Sequence, residues 1–271
     1  MPHFPFSRNF LHAMPAIITL LTDFGTADGY VAEMKGVLLA QAPGVTLVDV
    51  SHEVGAHDVE CGRLALARYW RRFPPGTIHL AVVDPGVGSE RAALAVESDG
   101  RMLVGPDNGL LSPALLASGV QVVALPIPRT AAPTFHGRDV FAPAAAALAR
   151  GAPVTALGTP FETPVVRRTP EPRRLADGSI EGQVITIDRF GNAITNIDRA
   201  TVERVAHGRA VHVAAGTHAL GRLANTYAEV PAGAACVLFS STDHVEVAIN
   251  GGSAAGTLGL RQGAAVVCRV C

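Results

Sequence analysis

The chain has 271 residues, 48% of them hydrophobic and 17% charged. That excludes a largely disordered chain and calls for one large domain or two smaller ones, with enough core to fold without disulfide or metal staples. A formal net charge of −1 gives no general attraction for nucleic acid or an anionic membrane, so neither is expected as a partner.

Residues 1–15, with Pro2, Pro5 and Pro15, read as a loose N-terminal extension rather than a signal peptide. The apolar run Ile17–Leu21 is then stopped by Thr22-Asp23-Phe24-Gly25, and Tyr30, Val31, Met34, Val37 and Leu38 recur at helical spacing. Strands are predicted at Thr46–Val50, Thr77–Val83, Ala92–Glu97 and Gln121–Leu125, with helices at Val59–Phe73 and Asp139–Arg150. Strand and helix alternate, which predicts an α/β domain with a mainly parallel sheet over residues 16–165. Five prolines between 153 and 172 mark an extended connector, and residues 166–180 are taken as the linker. Short β-like segments follow at Gly182–Ile187, Ala193–Ile197, Ala210–Ala214, Cys236–Phe239, Val245–Ile249 and Ala264–Val270. They predict a smaller C-terminal β-barrel domain over 181–271.

The four cysteines, Cys61, Cys236, Cys268 and Cys271, lack the second close pair of a structural zinc site. His52 and His57 have no carboxylate partner at zinc spacing, so no metal is expected. A reduced, cytoplasmic protein is expected, and no apolar run approaches the ~20 residues that span a bilayer. Neither G-x-G-x-x-G after the first strand, nor a P-loop, nor a G-x-S-x-G elbow is present. Asp23 and Asp84 stand at predicted strand ends, where open α/β sheets gather ligands, although each also reads as a cap of the following helix or turn.

Five polar segments fall on predicted loops: L-T-D-F-G-T-A-D-G-Y (21–30), V-D-P-G-V-G-S-E-R (83–91), G-P-D-N-G-L-L (105–111), T-F-H-G-R-D-V-F-A-P (134–143) and D-R-F-G-N-A-I-T-N-I (188–197). In this order they resemble the S-adenosyl-L-methionine (SAM) hydroxide adenosyltransferases, the hydrolase branch of the superfamily that includes the SAM-dependent fluorinase and chlorinases. The resemblance runs from about Ile17 to the C-terminus. It implies an N-terminal α/β domain, a C-terminal β-barrel, and a homotrimer with active sites at subunit interfaces. The implied reaction is attack of water or hydroxide on the ribose C5′ of SAM, giving adenosine and L-methionine without metal or redox cofactor.

The resemblance places catalysis on Asp84, Arg91 and His136, which organise the attacking water. Read alone, the same three residues are an ion pair bracing a Gly-rich turn and a core histidine. Asp23 would hold both ribose hydroxyls, and Asp28 the methionine ammonium unless it caps the helix near Gly29. Asn192 would read the adenine edge, with Phe190 and Tyr227 against the base. Ser241 corresponds to a serine at the methionine end, with Ser240 as the neighbouring candidate. Glu246 either reaches the ligand or is an exposed strand residue. His57 falls where the fluorinase has an aromatic wall. Two other readings stay open: a SAM-dependent halogenase on the same scaffold, and a non-enzymatic adenosine or SAM binder.

Overall fold

The structure, a computed structural model, describes residues 15–271. Apart from Pro15, the expected N-terminal extension lies outside the described residues. The chain forms two compact units, one ending at Arg167 and the other spanning Arg168–Cys271.

The first unit runs β1 (Ile17–Thr22), α1 (Tyr30–Gln41), β2 (Thr46–Ser51), α2 (Val59–Tyr69), β3 (Ile78–Val82), β4 (Ala93–Ser98), β5 (Arg101–Pro106), α3 (Ser112–Leu115), β6 (Gln121–Ala124), α4 (Ala142–Ala149) and β7 (Thr159–Pro160). A π-helical turn, Gly137–Phe141, leads into α4. The strands form one sheet in the order β2-β1-β3-β5-β4-β6-β7.

Alternation along the strands builds two cores, because successive side chains point to opposite faces. Ile18, Leu20, Ile78, Leu80, Val82, Ala93 and Ala95 pack with Met34 and Leu38 of α1 and Ala142, Ala145 and Ala146 of α4. On the other face Leu21, Ala81, Val83, Leu94 and Val96 pack with Leu66 of α2, Trp70, and Ala114 of α3. The sheet is therefore covered on both sides, and the alanines of α4 allow it a close approach.

The expectation of a mainly parallel sheet is corrected: the sheet is mixed. β2, β1, β3 and β5 pair in parallel, whereas β4, β5, β6 and β7 pair antiparallel. The cause is Asp99-Gly100, with φ of 51° and 68°, a two-residue turn that can only join antiparallel neighbours. β5 itself was missing from the predicted strands, and it separates β3 from β4.

The second unit carries β8 (Arg173–Arg174), β9 (Ile180–Ile187), β10 (Ala193–Asp198), α5 (Arg199–Ala206), β11 (Val211–Ala215), β12 (His218–Arg222), β13 (Ala235–Phe239), β14 (His244–Ile249), α6 (Ala254–Leu258) and β15 (Ala265–Val270). Seven strands follow the order β12-β11-β15-β9-β10-β14-β13, and β8 adds to β9. The two ends of this antiparallel sheet meet through a bridge from Leu223, just after β12, to Val237 of β13. The sheet is thus nearly closed and barrel-like around a core of Val184, Val213, Val237, Val247, Val266 and Cys268. Helix α5, absent from the sequence expectation, starts where the Asp198 side chain accepts from the Thr201 N–H at 2.6 Å, an N-cap.

Candidate active site

In the first unit β1 has β2 on one side and β3 on the other. The connections place α1 on one face and α2 on the opposite one, so the carboxyl ends of β1 and β3 flank a topological switch point, the usual ligand crevice of such sheets. Asp23 follows β1 and Asp84 lies just beyond β3. Continuing the alternation of Leu80 and Val82 turns Asp84 toward the α4 face, and the alternation of Ala95 and Ala93 does the same for Arg91. His136 lies on that face too, at the entrance to α4.

The three predicted catalytic residues are brought together. Arg91 grips Asp84 with two parallel bonds, Nε to Oδ1 at 3.0 Å and Nη2 to Oδ2. Arg91 Nη2 also donates to His136 Nδ1 at 2.9 Å, and its guanidinium lies 5.2 Å from the Phe141 ring centroid. The Arg91 and Asp84 side chains are only 9% and 5% exposed, and His136 is buried. A guanidinium only donates, so His136 Nδ1 is the acceptor and a neutral ring carries its proton on Nε2. Burial and then Arg91 hold the His136 pKa below the ordinary 6.5.

Asp23 is half-buried, and its Oδ2 accepts the backbone N–H of His57 at 2.8 Å. His57 adopts a positive φ of 65°, uncommon for a non-glycine residue. The turn before it is fixed by His52, whose Nδ1 meets Thr22 Oγ1 at 2.8 Å and whose Nε2 meets Asp49 Oδ1 at 3.0 Å. Asp28 is exposed, and the α1 N-cap is Gly29 without a side-chain capping bond. The capping role considered for Asp28 is therefore not the one it plays. Beside it, Phe24, Tyr30 and Phe135 meet edge to face and line a pocket of about 360 Å³ with Glu33 and Arg138.

In the second unit, Phe190 and Asn192 share one turn. Asp188 Oδ1 accepts the backbone N–H groups of Phe190 and Asn192, both at 2.9 Å. Asp188 Oδ2 accepts from Asn192 Nδ2 at 3.2 Å. Gly191 has φ +82° and leaves no room for a Cβ against Ser253, so the turn needs glycine. Phe190 is 75% exposed at the tip, whereas Asn192 is buried.

Tyr227 and Glu246 also meet, the phenol donating to Glu246 Oε1 at 2.6 Å. Glu246 is buried, which overturns its reading as an exposed strand residue. Ser241 is exposed. Ser240 is buried and ties the β13–β14 turn through Thr242.

Three contributors escaped the sequence reading. Asp188, His52 and Asn108 hold the turns on which the predicted residues sit. The signal for Asp188 was present, since Asp followed by backbone N–H groups two and four residues on is an Asx-type turn. Among the described residues no group of three or more His, Cys, Asp or Glu side chains could hold a metal ion.

These features define a protein with a mixed α/β unit bearing an Asp–Arg–His cluster at a switch point, and a nearly closed β unit bearing an exposed aromatic turn. Models of the SAM hydroxide adenosyltransferase N-terminal and C-terminal domains match residues 18–158 and 182–267, and the chain belongs to that family. It is 43% identical over 91% of its length to a protein of Thermus thermophilus named (R)-S-adenosyl-L-methionine hydrolase, covering 96% of that relative. A protein of Nocardia brasiliensis named fluorinase is 29% identical, with 94% of this chain and 97% of the relative covered. A crystal structure of an uncharacterized conserved protein from Thermotoga maritima superposes with a TM-score of 0.85 at 30% identity, covering 93% of this chain and 99% of that one.

Proposed function

We propose that the protein hydrolyses SAM at ribose C5′, water or hydroxide displacing methionine to give adenosine and L-methionine. The observation that carries this reading is the interlocked Asp84–Arg91–His136 cluster beside the switch-point crevice, in a chain of this family. An oxygen lone pair forms the new C5′–O bond while the C5′–S bond breaks, and its electron pair leaves on sulfur as a neutral thioether. When hydroxide attacks, opposite charges are annihilated, and a site closed to water favours that step over solution.

The cluster suits the task of holding an oxygen in line with the C5′–S bond. Arg91 occupies His136 Nδ1, which leaves the Nε2–H of His136 to donate to the nucleophile and aim its lone pair. Asp84 fixes the guanidinium with both carboxylate oxygens and neutralises it. When water attacks, the oxygen becomes strongly acidic as the bond forms, so no strong base need wait beforehand, and the proton is lost to solvent once the site opens to release the products.

Substrate recognition is assigned to Asp23 for the ribose hydroxyls, Asp28 for the methionine ammonium, Asn192 for the adenine edge, and Phe190 and Tyr227 for its faces. Ser241 and Glu246 complete the set toward the methionine end. The assembly proposed is a homotrimer with active sites at subunit interfaces, in the cytoplasm, with no cofactor. No described helix is long and apolar enough to cross a membrane.

The test is to incubate the purified protein with SAM, without and with chloride, and to separate the products. Adenosine and methionine in both conditions support the hydrolase. A 5′-halogenated nucleoside moves the protein to the halogenase branch, and retained ligand without turnover makes it a binder. The native mass tests the trimer.

A further inference from the structure

We infer that the Gly105-Pro106-Asp107-Asn108-Gly109 turn is a positioning element for the Asp84–Arg91 pair, with Asn108 its principal residue. The inference rests on the catalytic reading of that pair. It starts from strand direction: β5 lies between β3 and β4, parallel to the first and antiparallel to the second. The carboxyl end of β3, the carboxyl end of β5 and the amino end of β4 therefore share one edge of the sheet. The chain leaving β3 at Asp84 must arch over the end of β5 to enter β4 after Arg91. Its two feet stand two strand spacings apart, roughly 9–10 Å, with no ladder beneath the arch.

The turn after β5 fills that gap and ties both feet. Asn108 Nδ2 donates to the carbonyl of Val83, the residue before Asp84, at 2.8 Å. The Asp107 N–H donates to the carbonyl of Ala92, the residue after Arg91, at 2.9 Å. Asn108 Oδ1 is engaged at the same time, accepting the Leu110 N–H at 3.1 Å. The Asp107 carboxylate accepts the Val165 N–H at 2.7 Å and lies close enough to Arg91 to feel its charge. One dipeptide thus sets the separation of the two feet, and with it the bidentate fit of Arg91 on Asp84.

A carboxamide is required at 108 because the residue must donate toward Val83 and accept from Leu110 at once. Aspartate has the same shape and keeps the Leu110 bond, yet it presents an oxygen to the Val83 carbonyl. That repulsion costs stability whatever the turn's role, so the positioning role is read from kcat against KM rather than from tolerance of the exchange.

The experiment measures kcat, KM for SAM and the melting temperature of Asn108→Asp, Asn108→Ala and Asp84→Asn beside the unaltered protein. Asn108→Asp is expected to melt lower than the unaltered protein, having exchanged a hydrogen bond for a repulsion, and in its folded form to lose kcat by about 10- to 100-fold with KM within about twofold, since small misplacements of reacting groups carry such losses. Asn108→Ala should lose kcat similarly and melt lower. A normal kcat in Asn108→Asp with an inactive Asp84→Asn overturns the positioning role alone, as does a rise in KM that accounts for the whole loss. Full turnover in Asp84→Asn overturns the catalytic reading first and this inference with it.

Discussion

The two units hold their candidate residues in opposite ways. In the first, His136 is buried, the side chains of Asp84 and Arg91 are nearly so, and the three spend their strongest bonds on one another. In the second, Phe190 and Tyr227 are 75% and 41% exposed, and each is held from behind by a carboxylate, Asp188 or Glu246. Groups that aim a nucleophile gain from being fixed before substrate arrives, whereas the two aromatic rings keep a face open to a ligand while Asn192 and Glu246 behind them are buried. Substitutions in the first set should act on kcat, and those in the second on KM.

The strongest test removes Arg91. Arg91→Ala leaves the Asp84 carboxylate buried without its guanidinium and His136 Nδ1 without its donor. Loss of one partner of a buried pair costs about 3–5 kcal/mol of stability, and turnover should fall by about 10³-fold or more, near the upper end of single-residue electrostatic losses. Thermal melts and single-turnover assays check both. A folded Arg91→Ala protein with unchanged kcat would dissolve the contrast between the units.

Next comes His136. His136→Ala should lower kcat by about 10²-fold, the scale of a misplaced reacting group, with little change in KM. In the unaltered protein the rate should be flat through neutral pH and fall on the acid side below 6.5, because burial and Arg91 lower the His136 pKa. The sign follows from the bond: a protonated Nδ1 cannot accept from Arg91, so acid breaks the cluster. A kcat profile that instead rises toward acid would refute the neutral-ring assignment.

How far the sequence carried this arrangement differs between the units for physical reasons. Asp84, Arg91 and His136 were legible as motif residues, and the strand ends at Asp23 and Asp84 were placed by apolar runs that alternate across two cores. The sheet direction was missed at Asp99-Gly100, a hairpin signal only two residues long lying between segments read as separate. Without β5, nothing suggested that the 83–91 segment arches over another strand or what ties it down. In the second unit, α5 is only eight residues long and β12 only five with mixed burial, and Glu246 looked exposable until the sheet curved to bury it. Long-range closure of that kind has no local signature.

Asn192→Ala should act more modestly. It removes a side chain assigned to the adenine edge and already oriented by Asp188, so the loss is that of one or two ligand bonds, about 1–3 kcal/mol. That corresponds to roughly a 5- to 150-fold rise in KM at near-constant kcat. Asp188→Asn should reproduce part of it, because an amide accepts the Phe190 and Asn192 N–H groups less strongly than a carboxylate. If Asp188→Asn depressed kcat instead, the turn would belong with the chemical machinery rather than with recognition.

The smallest expected effect is that of Tyr227→Phe, and it sharpens the comparison most finely. Burial, and next the Glu246 carboxylate, raise the pKa of this phenol, so it stays a donor to Glu246 across the working pH range. Removing the hydroxyl keeps the ring, and with it any stacking on the base, while Glu246 loses one strong bond and stays buried. The cost should be about 1–2 kcal/mol, shared between stability and binding: a few degrees in Tm and a KM rise of a few fold. Tyr227→Ala removes the ring as well and should raise KM further, by an amount that measures the stacking alone. Equal KM values for the two variants would show that Tyr227 serves only to hold Glu246, and recognition on this unit would then rest on the Phe190–Asn192 turn.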